Sequence, residues 1–133
     1  MILIDLNVVL DVVQQREPHY AASAAVLTRV VQGHETALLP AHAITTLHYL
    51  VGKYQDVRKA NETIDWLLRY FGIAAVGRNE ILRARALQWP DFEDAVVAAA
   101  AESVSCSYIV NRNLRDFAQS PVTAITPEEY LTI

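Results

Sequence analysis

Apolar residues in this chain fall into two alternating patterns. Runs of four or five β-leaning residues recur between longer segments with helical spacing. Residues 1–4 open with an unbroken apolar run, as expected of a central strand buried on both faces. It stops at Asp5, and Asn7 offers an N-cap for a helix over residues 8–15. Pro18 suits the first turn of a second helix that runs to Val31, with Gly33 closing it. Residues 36–39 predict a second strand, ended by Pro40. Two helices follow, over 42–54 and 57–71, with Gly72 as the stop of the second. Residues 73–76 predict a third strand, and 79–88 a short amphipathic helix ended by Pro90.

The segment from Asp91 to Phe117 carries the strongest signal. Ala95 to Ala101 holds no charge, so that helix is apolar all round and should be buried. SYIV at 107–110 is a short fourth strand, 122–125 a fifth, and Thr126-Pro127-Glu128-Glu129 starts a last helical turn. Short strands separated by helices predict βαβ crossovers: a three-layer α/β/α sandwich around a parallel sheet of four to five short strands. The 133 residues make one domain without repeats or linkers. Ligands in such sheets bind beyond the carboxyl ends of the strands. Asp5 ends the first strand, residues 111–116 follow the fourth, and Asp94 starts the buried helix on the same rim. A buried carboxylate is costly unless paired, hydrogen-bonded or metal-bound.

Composition then narrows the field. With 53% hydrophobic and 20% charged residues, the chain is not disordered. No apolar run nears the ~20 residues of a membrane helix. The opening segment has two acids and no basic residue, so it does not read as an export signal, and a cytoplasmic location is expected. The single cysteine, Cys106, excludes an internal disulfide and a cysteine metal cluster. A net charge of -4 disfavours nucleic-acid binding through a broad basic face, but not through an acidic site loaded with a cation.

Several residues admit more than one role. Asp5 suits a metal ligand or a turn. As a phosphotransfer nucleophile it would want a second Asp two residues on, where Asn7 stands. Asp91-x-x-Asp94 suits a capping pair, which accounts for Asp91 better than for Asp94. Glu93 reads as a solvated neighbour, and Asp116 as a ligand or a turn cap. The histidines at 19, 34, 42 and 48 have no metal-binding helical spacing, and each reads as a surface residue or one that supports a ligand from behind. There is no phosphate-binding glycine loop and no nucleophile elbow.

Taken in order, ILIDLNVVLD, DFEDAVVAAAAE, YIVNRNLRDF and the TPEEYL ending resemble the PIN-domain family over essentially the whole chain. The similarity points to the branch of VapC-type toxin ribonucleases and relatives. It implies an acidic rim that holds Mg²⁺ or Mn²⁺ and cuts RNA, with Asp5, Asp94 and Asp116 as catalytic metal ligands. Asp91 is a further ligand candidate, Asp91 or Glu93 could stand in for a missing acid, and Asn7, Thr46, Asn111 and Asn113 would support the ligands. It also implies a homodimer and an antitoxin protein partner; the helices over 41–54 and 57–71, which carry Tyr49, Trp66 and Tyr70 outside their inner stripes, are the expected dimer interface. Two positions depart from the family pattern. Thr46 stands where the family has Glu early in the helix after the second strand, and Asn111-Arg112-Asn113 replaces T-x-D. Those departures keep open a PIN-fold binding module of weak catalytic power, with a metal-dependent phosphatase as a third reading.

Overall fold

The structure, a computed structural model, describes residues 1–133. Five parallel strands form one sheet: β1 (Ile2–Ile4), β2 (Ala37–Pro40), β3 (Gly72–Ala74), β4 (Tyr108–Val110) and β5 (Ala124–Ile125), in the order β3-β2-β1-β4-β5. The chain winds outward from β1 to β3, then returns to the other side of β1. The switch point therefore lies between β1 and β4, where open α/β sheets place their ligands.

Alternation along the strands sorts the core into two layers. Ile2 and Ile4 of β1 and Val110 of β4 pack against α1 (Leu6–Val13), α2 (Tyr20–Val31), α3 (Ala41–Tyr54), α4 (Val57–Tyr70) and α7 (Pro127–Tyr130). Leu3 and Ile109, one residue out of phase, face α6 (Phe92–Ser103), which α5 (Arg78–Leu87) covers from outside. Every residue of α6 from Ala95 to Ala101 is buried between sheet and α5, as its lack of charge predicts. Alanine is the best intrinsic helix former, and its small side chain lets α6 sit close to both neighbours.

Three local expectations are corrected. Asp5, not Asn7, caps α1: its Oδ2 accepts from the Asn7 backbone N–H at 3.1 Å, so the helix begins two residues earlier than the sequence suggests. Gly72 is the first residue of β3 and not the helix stop, since Phe71 is already extended and that strand ends at Ala74. Pro18 lies in the turn before α2, two residues ahead of its first residue.

Candidate metal-binding rim

Parallel strands with crossover helices put three kinds of chain end on one edge of the sheet. Strands end there, helices that follow a strand start there, as α1 and α3 do, and α6, which leads into β4, also starts there and runs back along the sheet. Asp5, His42 and the acidic first turn of α6 converge for that topological reason.

Asp5 is only 8% exposed. Its backbone N–H donates to the Val110 carbonyl at 3.0 Å, locking the β1 terminus to the β4 terminus. Burial pushes the Asp5 carboxyl up to about 6; the Asn7 amide works against the rise, as do the charges of His42 and Arg112, and Glu93 adds to it.

Asp94 is half-buried in the first turn of α6. Loss of solvent raises its carboxyl to about 7, and the negative charges of Asp91, Glu93, Asp5 and Asp116 raise it in that order. Asp94 thus feels acids from three separate stretches of sequence. Asp91 has a structural occupation beside it: its Oδ1 accepts from the Asp94 N–H at 3.1 Å and caps the helix. One carboxylate oxygen each from Asp91, Glu93 and Asp94 falls within a 4.8 Å cluster.

After β4, a chain of amide side chains replaces the expected acid. Asn111 is 2% exposed. Its Oδ1 accepts from Asn7 Nδ2 at 2.7 Å and from the Asn113 N–H at 2.8 Å. Asn113 Nδ2 donates to Asp116 Oδ2 at 2.6 Å. The line Asn7–Asn111–Asn113–Asp116 therefore fixes the exposed Asp116 relative to the start of α1. Asp116 and Asp91 also line one depression of about 230 Å³, together with Trp89 and Arg115.

Thr46 is exposed on α3, and its Oγ1 donates back to the His42 carbonyl at 3.4 Å. It lies one helical turn beyond His42. His42, read from the sequence as a surface or supporting residue, has its Nε2 2.6 Å from Glu93 Oε2, bridging α3 to α6 across the rim. Its other ring nitrogen, Nδ1, is buried with no partner. Glu93 is accordingly bound, not merely solvated. Helical periodicity could not reveal this pair, because its members lie 51 positions apart.

A residue the sequence left without a role is Arg112. Its Nε donates at 2.7 Å to Oδ2 of Asp11, which is fully buried and also accepts from Ser23 Oγ at 3.0 Å. The rim offers carboxylate oxygens, the donor type a hard cation takes, with no lysine or arginine paired to Asp5, Asp94 or Asp116; Asp5 and Asp116 lie outside the 4.8 Å group of Asp91, Glu93 and Asp94. Ionised together they repel, and the raised carboxyls of Asp5 and Asp94 express that repulsion on top of desolvation.

A family profile described as the PIN domain matches residues 1–115. No curated protein matches the sequence. Among solved structures, the chain is similar to Mycobacterium tuberculosis VapC20, described as a sarcin-ricin loop cleaving toxin. The TM-score is 0.75 at 12% identity, covering 96% of this chain and 100% of that one. FitAcB from Neisseria gonorrhoeae aligns with a TM-score of 0.73 at 20% identity, covering 96% of this chain and 99% of the other. VapBC2 from Rickettsia felis, bound to a DNA fragment from its promoter, aligns with a TM-score of 0.71 at 15% identity, covering 95% and 98%. At such identities the likeness concerns the fold. No helix of the chain is long and apolar enough to cross a membrane.

Proposed function

The chain belongs to the PIN-domain family, and on that premise we propose that it is a divalent-metal-dependent endoribonuclease acting as the toxin of a toxin–antitoxin pair. The observation that carries this reading is the gathering of Asp91, Glu93 and Asp94 carboxylate oxygens within 4.8 Å of one another at the start of the buried α6, where loss of solvent and the neighbouring acids raise the Asp94 carboxyl. Perturbed carboxyls gathered in one place mark functional sites more often than chance placement does.

Asp5, Asp94 and Asp116 would hold Mg²⁺ or Mn²⁺, with Asp91 at the margin. A hard divalent cation there would supply Lewis acidity at a phosphodiester and acidify a water for attack. The protein's own part is placement. Asp5 is held by its cap bond and by the β1–β4 junction, and Asp94 by a helix whose other faces are all buried. Asp116 is held by the Asn113 amide.

One observation favours a second reading, an RNA-binding PIN module that cuts weakly. Thr46 brings a neutral hydroxyl, turned back on its own helix, where the family brings a charge. Cleavage of single-stranded RNA separates the two. The proposal expects Mn²⁺-dependent cleavage that is lost in Asp5→Asn. Binding of RNA without cleavage would favour the weak module, and turnover of a simple phosphomonoester a phosphatase.

The neighbours FitAcB and VapBC2 motivate an antitoxin partner for this chain. A second copy is expected on the α3–α4 face, where Tyr49, Tyr54, Val57, Trp66 and Leu68 are exposed. A monomer mass by light scattering at tens of micromolar chain would reject the dimer.

A further inference from the structure

A depression of about 230 Å³ opens beside the rim, between two segments that meet there. Trp89 and Pro90 line it from the link between α5 and α6. Arg115, Ala118 and Gln119 line it from the 3₁₀ turn Arg115–Phe117 after β4 and the residues that follow. Asp91 lines it too, and Asp91 is one of the three acids gathered within 4.8 Å at the start of α6. The depression therefore adjoins the candidate site and shares a residue with it.

Its apolar wall is held rigidly, and its polar groups are uncommitted. Trp89 is half-buried, with its ring edge-on to Phe117 at 5.6 Å and 82°. Phe117 is itself only 4% exposed, so the indole is braced from behind by the core. Arg115 is exposed and makes no ion pair, although Asp91 and Asp116 line the same depression. The side-chain bonds of this stretch run from Asn113 to Asp116 and from Val122 to Ser120, and neither uses Arg115 or Gln119. Asp91 gives Oδ1 to the α6 cap and Asp116 gives Oδ2 to Asn113, which leaves one oxygen of each free.

A flat aromatic wall fringed by free donors and acceptors suits a planar heteroaromatic ring. Unstacked bases of single-stranded RNA lie on aromatic faces and bond through their edges. A phosphate is disfavoured, because two carboxylates line the depression against one guanidinium. Carboxylates instead accept from base amino groups. We propose that this depression is a subsite for one unstacked nucleobase of a single-stranded RNA, stacked on Trp89 with its edge on Arg115 and Gln119. The phosphodiester attached to that nucleotide then lies toward Asp91 and the start of α6. This inference rests on the ribonuclease reading above and adds how that site holds its substrate.

The test reads binding in chelator, apart from cleavage. Trp66 and Trp89 are the two tryptophans, so fluorescence of Trp66→Phe reports Trp89 alone. Hexaadenylate, hexacytidylate, hexauridylate and an alternating guanylate–adenylate hexamer are titrated in turn, and at least one should quench Trp89. For that hexamer, Ala118→Leu fills the depression from an exposed position and should weaken binding about tenfold, with an unchanged melting temperature. Trp89→Leu, followed by anisotropy of the labelled hexamer, should weaken binding to a similar degree. Arg115→Ala should weaken binding without changing its salt dependence, as loss of a base contact does. Arg69→Ala removes the same charge from exposed α4, on the other layer, and should leave binding unaltered. A salt slope lowered by about one in Arg115→Ala would place a phosphate there and overturn the base assignment. Quenching by none of the hexamers, or undiminished affinity in Ala118→Leu, would overturn the subsite. Mn²⁺-dependent cleavage that persists in that case leaves the ribonuclease reading standing without it. Hexamer binding that Ala118→Leu weakens, in a protein that cuts no RNA, would keep the subsite and remove the ribonuclease reading instead.

Discussion

Arg112 and Asp11 join the loop after β4 to the first helix through a 2.7 Å bond, and the carboxylate end of that bond has no exposed surface. Asp11 Oδ1 has no partner at all. The carboxylate is therefore held by Arg112 and Ser23 alone, and the same arginine belongs to the segment that carries Asn111, Asn113 and Asp116.

Removing Arg112 should leave Asp11 as an uncompensated buried charge. Such losses run to ~3–5 kcal/mol, and because Arg112 is partly solvated the lower end is expected. Urea unfolding of Arg112→Ala measures it. Asp11→Asn keeps an acceptor for Ser23 and abolishes the charge, so it should cost less. If Asp11→Asn proves the more damaging change, charge burial is not what Arg112 relieves.

The acids of the rim give stability a definite pH dependence. Asp94 titrates at about 7 in the folded chain against 3.8 unperturbed, and Asp5 at about 6 against 3.8. The folded state thus binds more protons than the unfolded state between those values. Stability without metal should fall as pH rises from 3.8 toward 7, then level off. On the proposed metal-dependent reading, millimolar Mn²⁺ would bind the ionised native site and should offset the fall. Melting temperatures with chelator that rise across this window would contradict the raised carboxyls.

The parallel sheet, the buried α6 and the rim position of Asp5 and Asp94 were legible because each depends on local pattern: an unbroken apolar run, seven uncharged residues, an acid at a strand end. What was not legible depends on partners far apart in sequence. The His42–Glu93 bridge spans 51 positions and the Arg112–Asp11 bond 101, and no periodicity reports either. The cap of α1 was misplaced for a different reason. Asp5 and Asn7 are both good caps, and only backbone geometry shows that Asp5 is extended while Asn7 is already helical.

Gly72 illustrates a packing constraint invisible in the sequence. A Cβ there would lie 2.3 Å from Leu38 Cδ2 of the neighbouring strand. Gly72→Ala should destabilise the sheet edge by about 1 kcal/mol, the low end for overpacking, because the clash is with the end of a half-buried leucine side chain that can turn aside. Leu38→Ala made together with it should recover part of the loss by opening the space. Thermal melts of the two variants decide the matter; an additive pair would show that the strain lies elsewhere.

Asp91 and Asp94 stand three residues apart at the start of one helix, and their substitutions should separate structure from chemistry. Asp91 accepts the Asp94 N–H and is exposed, so Asp91→Ala removes a cap and should cost ~0.5–2 kcal/mol with or without metal. Asp94 caps nothing, and its carboxyl is destabilised by desolvation and by four neighbouring acids. Asp94→Ala should therefore leave metal-free stability unchanged or raise it slightly, as expected where a site holds strain for function. If the proposed function holds, Mn²⁺ should raise the melting temperature of the unaltered protein, and Asp94→Ala should erase that rise together with RNA cleavage. Asp91→Asn, which keeps a capping acceptor, should restore most of what Asp91→Ala loses. If Asp94→Ala lowers metal-free stability as much as Asp91→Ala does, Asp94 belongs to the helix and not to the site.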